Sequence, residues 1–334
     1  MKDKKIFIGL FVSLGFLWLS LKGVNWNEVR HALTKMNYLY LVPIILSSIF
    51  AQILRAIRWR SLLIRIKNIR LYDLFSILMV ANLLSILPAR IGEVIRAYLL
   101  GKKHDISKTA CFSTIVLERA FDGLFTISAF VIALWLYPGD INVSITGHAF
   151  SVKKAIYSLS VIYVATFTGL ILIKAFPEHF SRLIRFVLHY FSEPTKIKVD
   201  ALLMRFISGL SVLQDFRHLI FSLILTGIVW TAITCTYYLG LLGFGIESQF
   251  YLSFILMGFI IIAVMIPAAP GSVGVFHFAV QLTLMKFFNV SPSTALSYAW
   301  VMWTCGLVTN IVPGLWYYNK LNLNIDRIQG IKAG

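Results

Sequence analysis

The sequence predicts an all-α polytopic membrane protein with about six transmembrane helices and two re-entrant helical hairpins, arranged as an inverted-topology repeat. Three observations carry this. Of 334 residues, 58% are hydrophobic and only 13% charged, with a mean hydropathy of +0.80, far from the composition of a soluble domain. Apolar stretches of about 20 residues recur along the whole chain, each long enough to cross a hydrocarbon core about 30 Å thick. Two further apolar stretches are broken near their middles, at Pro88 and at "IPAAPGSVG", residues 266–274.

The chain opens with Lys2-Asp3-Lys4-Lys5 and an apolar run to Leu21. This start resembles a signal peptide, yet the following "LSLKGVNW" offers no small-x-small cleavage site, so residues 5–23 read as a retained first span. Further spans are expected at 39–57, 109–136, 155–174, 218–242 and 294–318. The pieces 73–87 and 89–100, hinged at Pro88, and the pieces 250–267 and 271–288 pair as hairpins that enter and leave on one side. "PARIG" at 88–92 aligns without a gap on "PGSVG" at 270–274, which puts the same pattern at the centre of two units, about 39–136 and 218–318. The flanking spans run in opposite senses in the two units, the arrangement by which many transporters build a midplane site from broken helices. One transmembrane domain, 1–320, thus holds both repeats and a basic cytoplasmic segment at 175–217, amphipathic on the membrane surface or simply solvated. A short cytoplasmic tail, 321–334, follows.

Charge fixes the orientation. In this topology 22 Lys and Arg fall on the side of the N-terminus and 6 on the other, with Arg90, Arg96 and Arg119 at membrane depth, which places both termini in the cytoplasm of a cell that holds the protein in its plasma (inner) membrane. The net charge of +17 therefore belongs to short loops facing anionic lipid, and nucleic acid is excluded as a partner. Cys111, Cys235 and Cys305 sit in apolar segments without paired spacing, so neither a disulfide framework nor a CxxC metal site is expected.

Broken backbone inside a bilayer is tolerated only where protein or a water-filled cavity satisfies its freed polar groups. Arg90, Glu93 and Arg96 share one helix face after Pro88 and Gly92, and that face should point inward. Glu118 and Asp122 lie one turn apart on the next span, with Arg119 beside them. These three cations and three anions either lock the hairpin to its neighbour as a structural network or lend an arginine to a ligand phosphate while the carboxylates hold it. The helix following Pro88 starts at the hairpin tip, so its free N–H groups favour an anion there. Arg55 and Arg58, with Arg60 in "ILRAIRWR", stand at the cytoplasmic end of the second span. They read as a loading site for a lipid phosphate or as positive-inside anchors with Trp59 in the interface. The second hairpin has Pro267, Pro270, Gly271 and Gly274 but no charge until His277, a satisfied buried histidine or a proton relay. Its glycines suggest close backbone approach.

No HExxH, GxSxG, Walker A loop or dinucleotide fingerprint occurs, so no catalytic residue, cofactor or metal is expected. Transport, without an ATP site, would be downhill, ion-coupled or driven by another subunit.

"LPARIGEVIRAYLL", "LERAFDGLF" and "IPAAPGSVGVFHFAVQ", in this order, resemble the transmembrane region of the lysyl-phosphatidylglycerol synthase/flippase family over nearly the whole chain. The resemblance implies a flippase-like lipid transporter with re-entrant helices. It carries attention to Arg90, Gly92, Glu93, Arg96, Glu118, Arg119, Asp122, Pro267 and Gly271. In the family's synthases a soluble aminoacyl-transferase domain follows the membrane region; the sequence to residue 334 shows none, so the flippase-like part alone is implied. The expected activity is transbilayer movement of an anionic lipid, either a phospholipid or a polyprenyl-phosphate-linked sugar. The rivals are an accessory subunit that presents lipid-linked sugar to an envelope glycosyltransferase and an integral-membrane headgroup transferase. Expected partners are the lipid, the membrane and such a glycosyltransferase, with a homo-oligomer left open.

Overall fold

The computed structural model describes residues 2–86, 92–139, 142–145, 148–151 and 216–321, with scattered positions between 158 and 176. Pro88, Arg90, most of the expected span at 155–174 and most of the basic segment at 175–217 lie outside the described residues.

The described chain is helical apart from one small hairpin. Helices α1 (Lys2–Leu21), α2 (Trp26–Lys35), α3 (Leu41–Leu63), α4 (Leu71–Ser85), α5 (Gly92–His104) and α6 (Lys108–Leu136) come first. Strands β1 (Asn142–Ile145) and β2 (His148–Ser151) then pair antiparallel, Asn142 facing Ser151. The chain continues in α7 (Phe216–Gly243), α8 (Leu252–Met265), α9 (Val275–Phe287) and α10 (Pro292–Lys320). Helix α2 and the β-hairpin are absent from a reading by apolar runs. In α2 no residue is buried, and its start is instead a local signal: the Asn25 side chain accepts from the Asn27 N–H at 2.9 Å, with Glu28 in the first turn.

Among the described residues three segments are long and apolar enough to cross a membrane: Tyr38–Leu63, Arg217–Gly243 and Pro292–Lys320. Helix α6 has 29 residues, about 43 Å, but carries Glu118, Arg119 and Asp122 in its N-terminal half. Helices α4, α5, α8 and α9, with 15, 13, 14 and 13 residues, reach only about 20–23 Å, short of a hydrocarbon core of about 30 Å.

Helices α3 to α6 and α7 to α10 form two quartets with the same internal packing, and α3 runs antiparallel to α7 between them. Small polar residues let those two backbones approach: the Ser222 hydroxyl donates to Ser61 at 3.2 Å, and the Ser47 hydroxyl donates to the Ala232 carbonyl at 3.0 Å. Across the quartets, α4 packs on α10 and α8 on α6, the same contact with the roles exchanged. One apolar cluster, including Trp59, Leu74, Ile77, Ile95 and Ile115, wedges α3 to α6 together. Another, including Ile44, Leu256, Leu284 and Tyr298, joins α3 to α7 and the last three helices.

The short helices pair tightly. At Gly92 a Cβ would strike the Ser85 hydroxyl and the Ala81 carbonyl, so α4 and α5 can close only on a glycine. Their open ends are tied as well: Lys103 meets Asp73 at 2.6 Å, and Lys67 donates to the His104 carbonyl at 2.8 Å. At the other end, Ile86 accepts from the Gly271 N–H at 3.1 Å, so the last residue described before the first break touches the second break. Trp303 donates to the Gly271 carbonyl at 2.8 Å, about 17 Å into α10. Helix α1 lies across α9 and its lead-in: the Ser13 hydroxyl accepts from the Ala269 N–H at 2.7 Å, and Gly274, at φ +80°, leaves no room for a Cβ beside the Ser13 carbonyl.

Candidate functional site

Three helices, α3, α5 and α6, converge on one carboxylate, and α7 joins through its neighbours. Arg96, from α5, forks onto Glu118 of α6, Nη1 to Oε1 at 3.1 Å and Nη2 to Oε2 at 2.8 Å. The planar guanidinium and the carboxylate match atom for atom, the strongest ordinary ion-pair geometry. Arg119 Nη2 reaches Glu118 Oε1 at 2.8 Å, Arg58 Nη2 reaches it at 3.2 Å and Arg55 Nη2 stands at 3.9 Å. Asp122, one turn on, takes Arg58 Nη1 at 2.5 Å, the Trp230 indole N–H at 2.8 Å and Arg119 Nη1 at 3.2 Å. Arg58 Nη1 also donates to the Thr226 hydroxyl at 2.9 Å, tying α7 to the cluster. Glu93 closes the set at 3.2 Å from Arg119 Nε.

Local sequence explains the convergence. Residues 55, 58 and 59 fall on adjoining positions of α3, and 118, 119 and 122 on one side of α6. The Trp59 ring lies under the Arg96 guanidinium at 3.7 Å and anchors its own N–H on the Thr114 hydroxyl at 3.2 Å. An aromatic face against a desolvated arginine replaces part of its lost hydration.

Burial divides the cluster into a floor and a rim. The side chains of Arg58 and Glu118 are 0% exposed, Arg96 2% and Asp122 7%. Arg55 is 19% exposed, Arg119 38% and Glu93 47%. A buried floor of this kind must be fully paired, because an unpaired ion in a low-dielectric interior is very unfavourable. The rim groups keep faces open to a ligand. Arg58 Nε and Arg96 Nε make no hydrogen bond among the described residues, so donor capacity is left over.

The structure changes the assignment of Arg58 and Trp59. The sequence places them at the cytoplasmic end of a span; both are 0% exposed, Arg58 inside the ion cluster and Trp59 beneath Arg96. The expected separate loading site therefore merges with the charged constellation. The described cluster holds four arginines, 55, 58, 96 and 119, against three carboxylates, 93, 118 and 122, one positive charge in excess rather than a balanced set. Removing Arg55 and Arg58 from the 22 basic residues on the N-terminal side leaves 20 against 6, so the orientation argument keeps its sign.

Arg90 lies outside the described residues. Gly92 serves the α4–α5 contact rather than facing the cluster's ions. Pro267 and Pro270 are exposed at the second break, where Pro270 opens a short 3₁₀ turn, Pro270–Ser272. His277 belongs to an aromatic group at the α9–α10 contact, 4.0 Å from the Trp300 ring and 5.5 Å from the Trp303 ring. It is fully buried, and neither ring nitrogen has a hydrogen-bond partner among the described residues, which departs from a satisfied core histidine. Sequence reasoning passed over Trp59 as a cation support, Trp230 and Thr226 as ligands of the floor, and Gln52 as a rim neighbour that accepts from Arg55 at 3.2 Å. Gln52, Arg55 and Trp59 fall at helical spacing, a signal available in advance; the α7 residues have no such marker. Among the described residues no group of three His, Cys, Asp or Glu could hold a metal ion.

The profile of the lysylphosphatidylglycerol synthase TM region matches residues 6–314. Glycosyltransferase AglD of Haloferax volcanii is 25% identical over 301 residues, 81% of this chain and 47% of that protein, so the chain spans about half of AglD's length. A UPF0104 membrane protein of Methanocaldococcus jannaschii is 27% identical over 215 residues, 64% of this chain and 82% of its own. Another, from Methanothermobacter thermautotrophicus, is 23% identical over 303 residues, 80% of this chain and 81% of its own. No solved structure matches the chain. With nearly its whole length matched, the chain belongs to the lysylphosphatidylglycerol synthase transmembrane-region family.

Proposed function

We propose that this membrane protein moves an anionic lipid between leaflets, the phosphate passing the arginine cluster while the acyl or prenyl tails stay in lipid. The observation that carries the proposal is the half-open ion cluster, which among the described residues holds one excess cation, set about ten residues, roughly 15 Å, from the start of α6. A purely structural network has no need of an uncompensated charge at that depth, where ionisable groups mark substrate paths. A phosphate monoester or diester would neutralise the excess through Arg55 and Arg119 without disturbing the Arg96–Glu118 fork.

The inverted repeat and the re-entrant hairpins belong to the same proposal. Their support is the exchanged packing of the two quartets and the tying of Asp73 to Lys103, which brings the outer ends of α4 and α5 to one level. It also includes the meeting of Ile86 with Gly271. Two hairpins of about 20 Å that enter from opposite faces and meet tip to tip would bring both breaks to the membrane interior. The basic-residue bias supports cytoplasmic termini, and a plasma-membrane location is proposed with them. The similarity to AglD, a glycosyltransferase by name, supports lipid-linked sugar as one headgroup class to test.

The test is a leaflet-resolved assay with purified protein in vesicles, using a fluorescent anionic lipid and a reductant that bleaches only the outer leaflet. Bleaching beyond the outer-leaflet fraction, dependent on the protein and lost in Arg119→Gln, is the expected result. Tight binding of the lipid with no movement would instead assign the chain a presenting role beside a glycosyltransferase.

A further inference from the structure

Beyond the arginines, α3 carries a second polar feature that ion pairing does not use. Ser48, Gln52 and Arg55 recur at i, i+4 and i+7 on one face of a helix that is otherwise apolar enough to span a membrane. The Ser48 hydroxyl donates to the Thr309 hydroxyl of α10 at 3.2 Å. Gln52 Oε1 accepts from Asn82 Nδ2 of α4 at 3.1 Å and from Arg55 Nη1 at 3.2 Å. The ladder thus rises about 10 Å along α3 from a charged end at Arg55 to an uncharged end at Ser48 and Thr309.

Gln52 Nε2 and Asn82 Oδ1 form no hydrogen bond among the described residues, although both side chains are only half-buried. One is a free donor and the other a free acceptor, on amides already fixed by their shared bond. Amides at membrane depth are unfavourable unless another polar group uses them.

We infer that Gln52 and Asn82 form a subsite for an uncharged hydroxyl-bearing headgroup, a glycerol or a sugar, attached to the phosphate that Arg55 and Arg119 receive; this rests on the proposed lipid-transport reading. A hydroxyl both donates and accepts, so it can satisfy Gln52 Nε2 and Asn82 Oδ1 together. An ammonium group can only donate, and it would stand beside the Arg55 guanidinium, where like charge repels it. The subsite therefore favours polyhydroxyl anionic lipids over lipids whose headgroup carries an amine.

The experiment compares two probes of equal charge and equal chains: phosphatidylglycerol, with two headgroup hydroxyls, and phosphatidylmethanol, with none. Binding to the purified full chain in detergent is measured beside movement in vesicles. Phosphatidylglycerol is expected to bind about tenfold tighter, the worth of one to two net hydrogen bonds. Asn82→Leu should bring the ratio within about twofold by weakening phosphatidylglycerol alone, and its unchanged binding of phosphatidylmethanol shows that it folds; Gln52→Leu, which also removes the acceptor of Arg55 Nη1, should lower the ratio while weakening phosphatidylglycerol more than phosphatidylmethanol. Equal binding of both probes by the unaltered protein, or equal weakening of both by the variants, overturns the subsite. A tenfold binding preference with no movement overturns transport and leaves the subsite standing; movement of both probes at one rate with no preference does the reverse.

Discussion

The Gly271 amide donates to the Ile86 carbonyl at 3.1 Å, which brings the break between α8 and α9 against the last described residue of α4. The carbonyl of Gly271 is also engaged, by the Trp303 indole at 2.8 Å. Unwound backbone at membrane depth needs such partners, because no water reaches it in lipid. The contact also joins the two quartets at their breaks.

The glycines around these breaks are steric requirements. Gly274→Ala would place a Cβ against the Ser13 carbonyl at a residue held at φ +80°, and Gly92→Ala would drive one into Ser85 and Ala81. Both conflicts are with backbone or closely held atoms, so overpacking of about 1–3 kcal/mol is expected for each, with added backbone strain at Gly274. The midpoint of thermal unfolding in detergent should fall for both variants, and Gly15→Ala, with open space around it, should leave it unchanged.

The tie between Lys67 and the His104 carbonyl, 2.8 Å, puts the α3–α4 connection and the end of α5 at one level. Single cysteines at Asn68 and His104 in a chain cleared of its own three should label from the same side of sealed vesicles. Labelling from opposite sides would make α4 and α5 one broken crossing and end the re-entrant hairpin.

His104, at that same surface, responds to pH. Burial lowers its pKa below the ordinary imidazole value; Asp73, at 3.6 Å, opposes this, while Lys103 and Lys67 add to it. A lowered folded-state value means that the unfolded chain binds the proton first. The contribution of His104 is therefore complete above the ordinary imidazole pKa and is lost as pH falls through the lowered one. His104→Gln should flatten the fall in thermal stability on acidification below about pH 6.5, and an unchanged slope would place the sensitivity elsewhere.

Much of the architecture was legible because membrane spans are written in long apolar runs, and the broken pairs because Pro88 and "IPAAPGSVG" interrupt two of them. That Glu118, Arg119 and Asp122 gather with other charges was legible because an ion inside such a run needs partners, whether in a structural network or at a site. Arg58 was misplaced for the same reason: it lies near the end of a helix, and sequence cannot tell an interfacial arginine from one turned inward onto Asp122. Helix α2 was missed because it is only ten residues long and polar on average: Trp26, Val29 and Leu33 share one face, but no long apolar run marks it. Gln52 and Asn82 were passed over because an amide is unremarkable until it is seen facing a partner across two helices.

The division of the cluster separates stability from function. Glu118→Gln removes the one carboxylate that all four arginines share, and a buried ion left unpaired typically costs about 3–5 kcal/mol, so this variant should lose folded protein. Glu93→Gln, at a rim side chain 47% exposed, should change stability by less than about 1 kcal/mol.

Arg55→Gln gives the sharpest contrast. Its only ion-paired carboxylate among the described residues, Glu118, stands at 3.9 Å and holds three nearer arginines, so truncating Arg55 strands no anion among them. The described cluster would pass from one excess positive charge to neutrality, which relieves repulsion among guanidiniums, so folded yield should hold or rise. The same change removes the charge that the phosphate is proposed to meet. Binding of an anionic lipid should weaken by about 1.5–3 kcal/mol, the worth of one hydrogen bond to a charged group, while a zwitterionic lipid of the same chains is little affected. Arg55→Lys should keep part of this preference through its charge and lose the part that depends on a planar, two-pronged donor. If Arg55→Gln bound anionic and zwitterionic lipids in the same ratio as the unaltered protein, the excess charge would have no part in reading the headgroup.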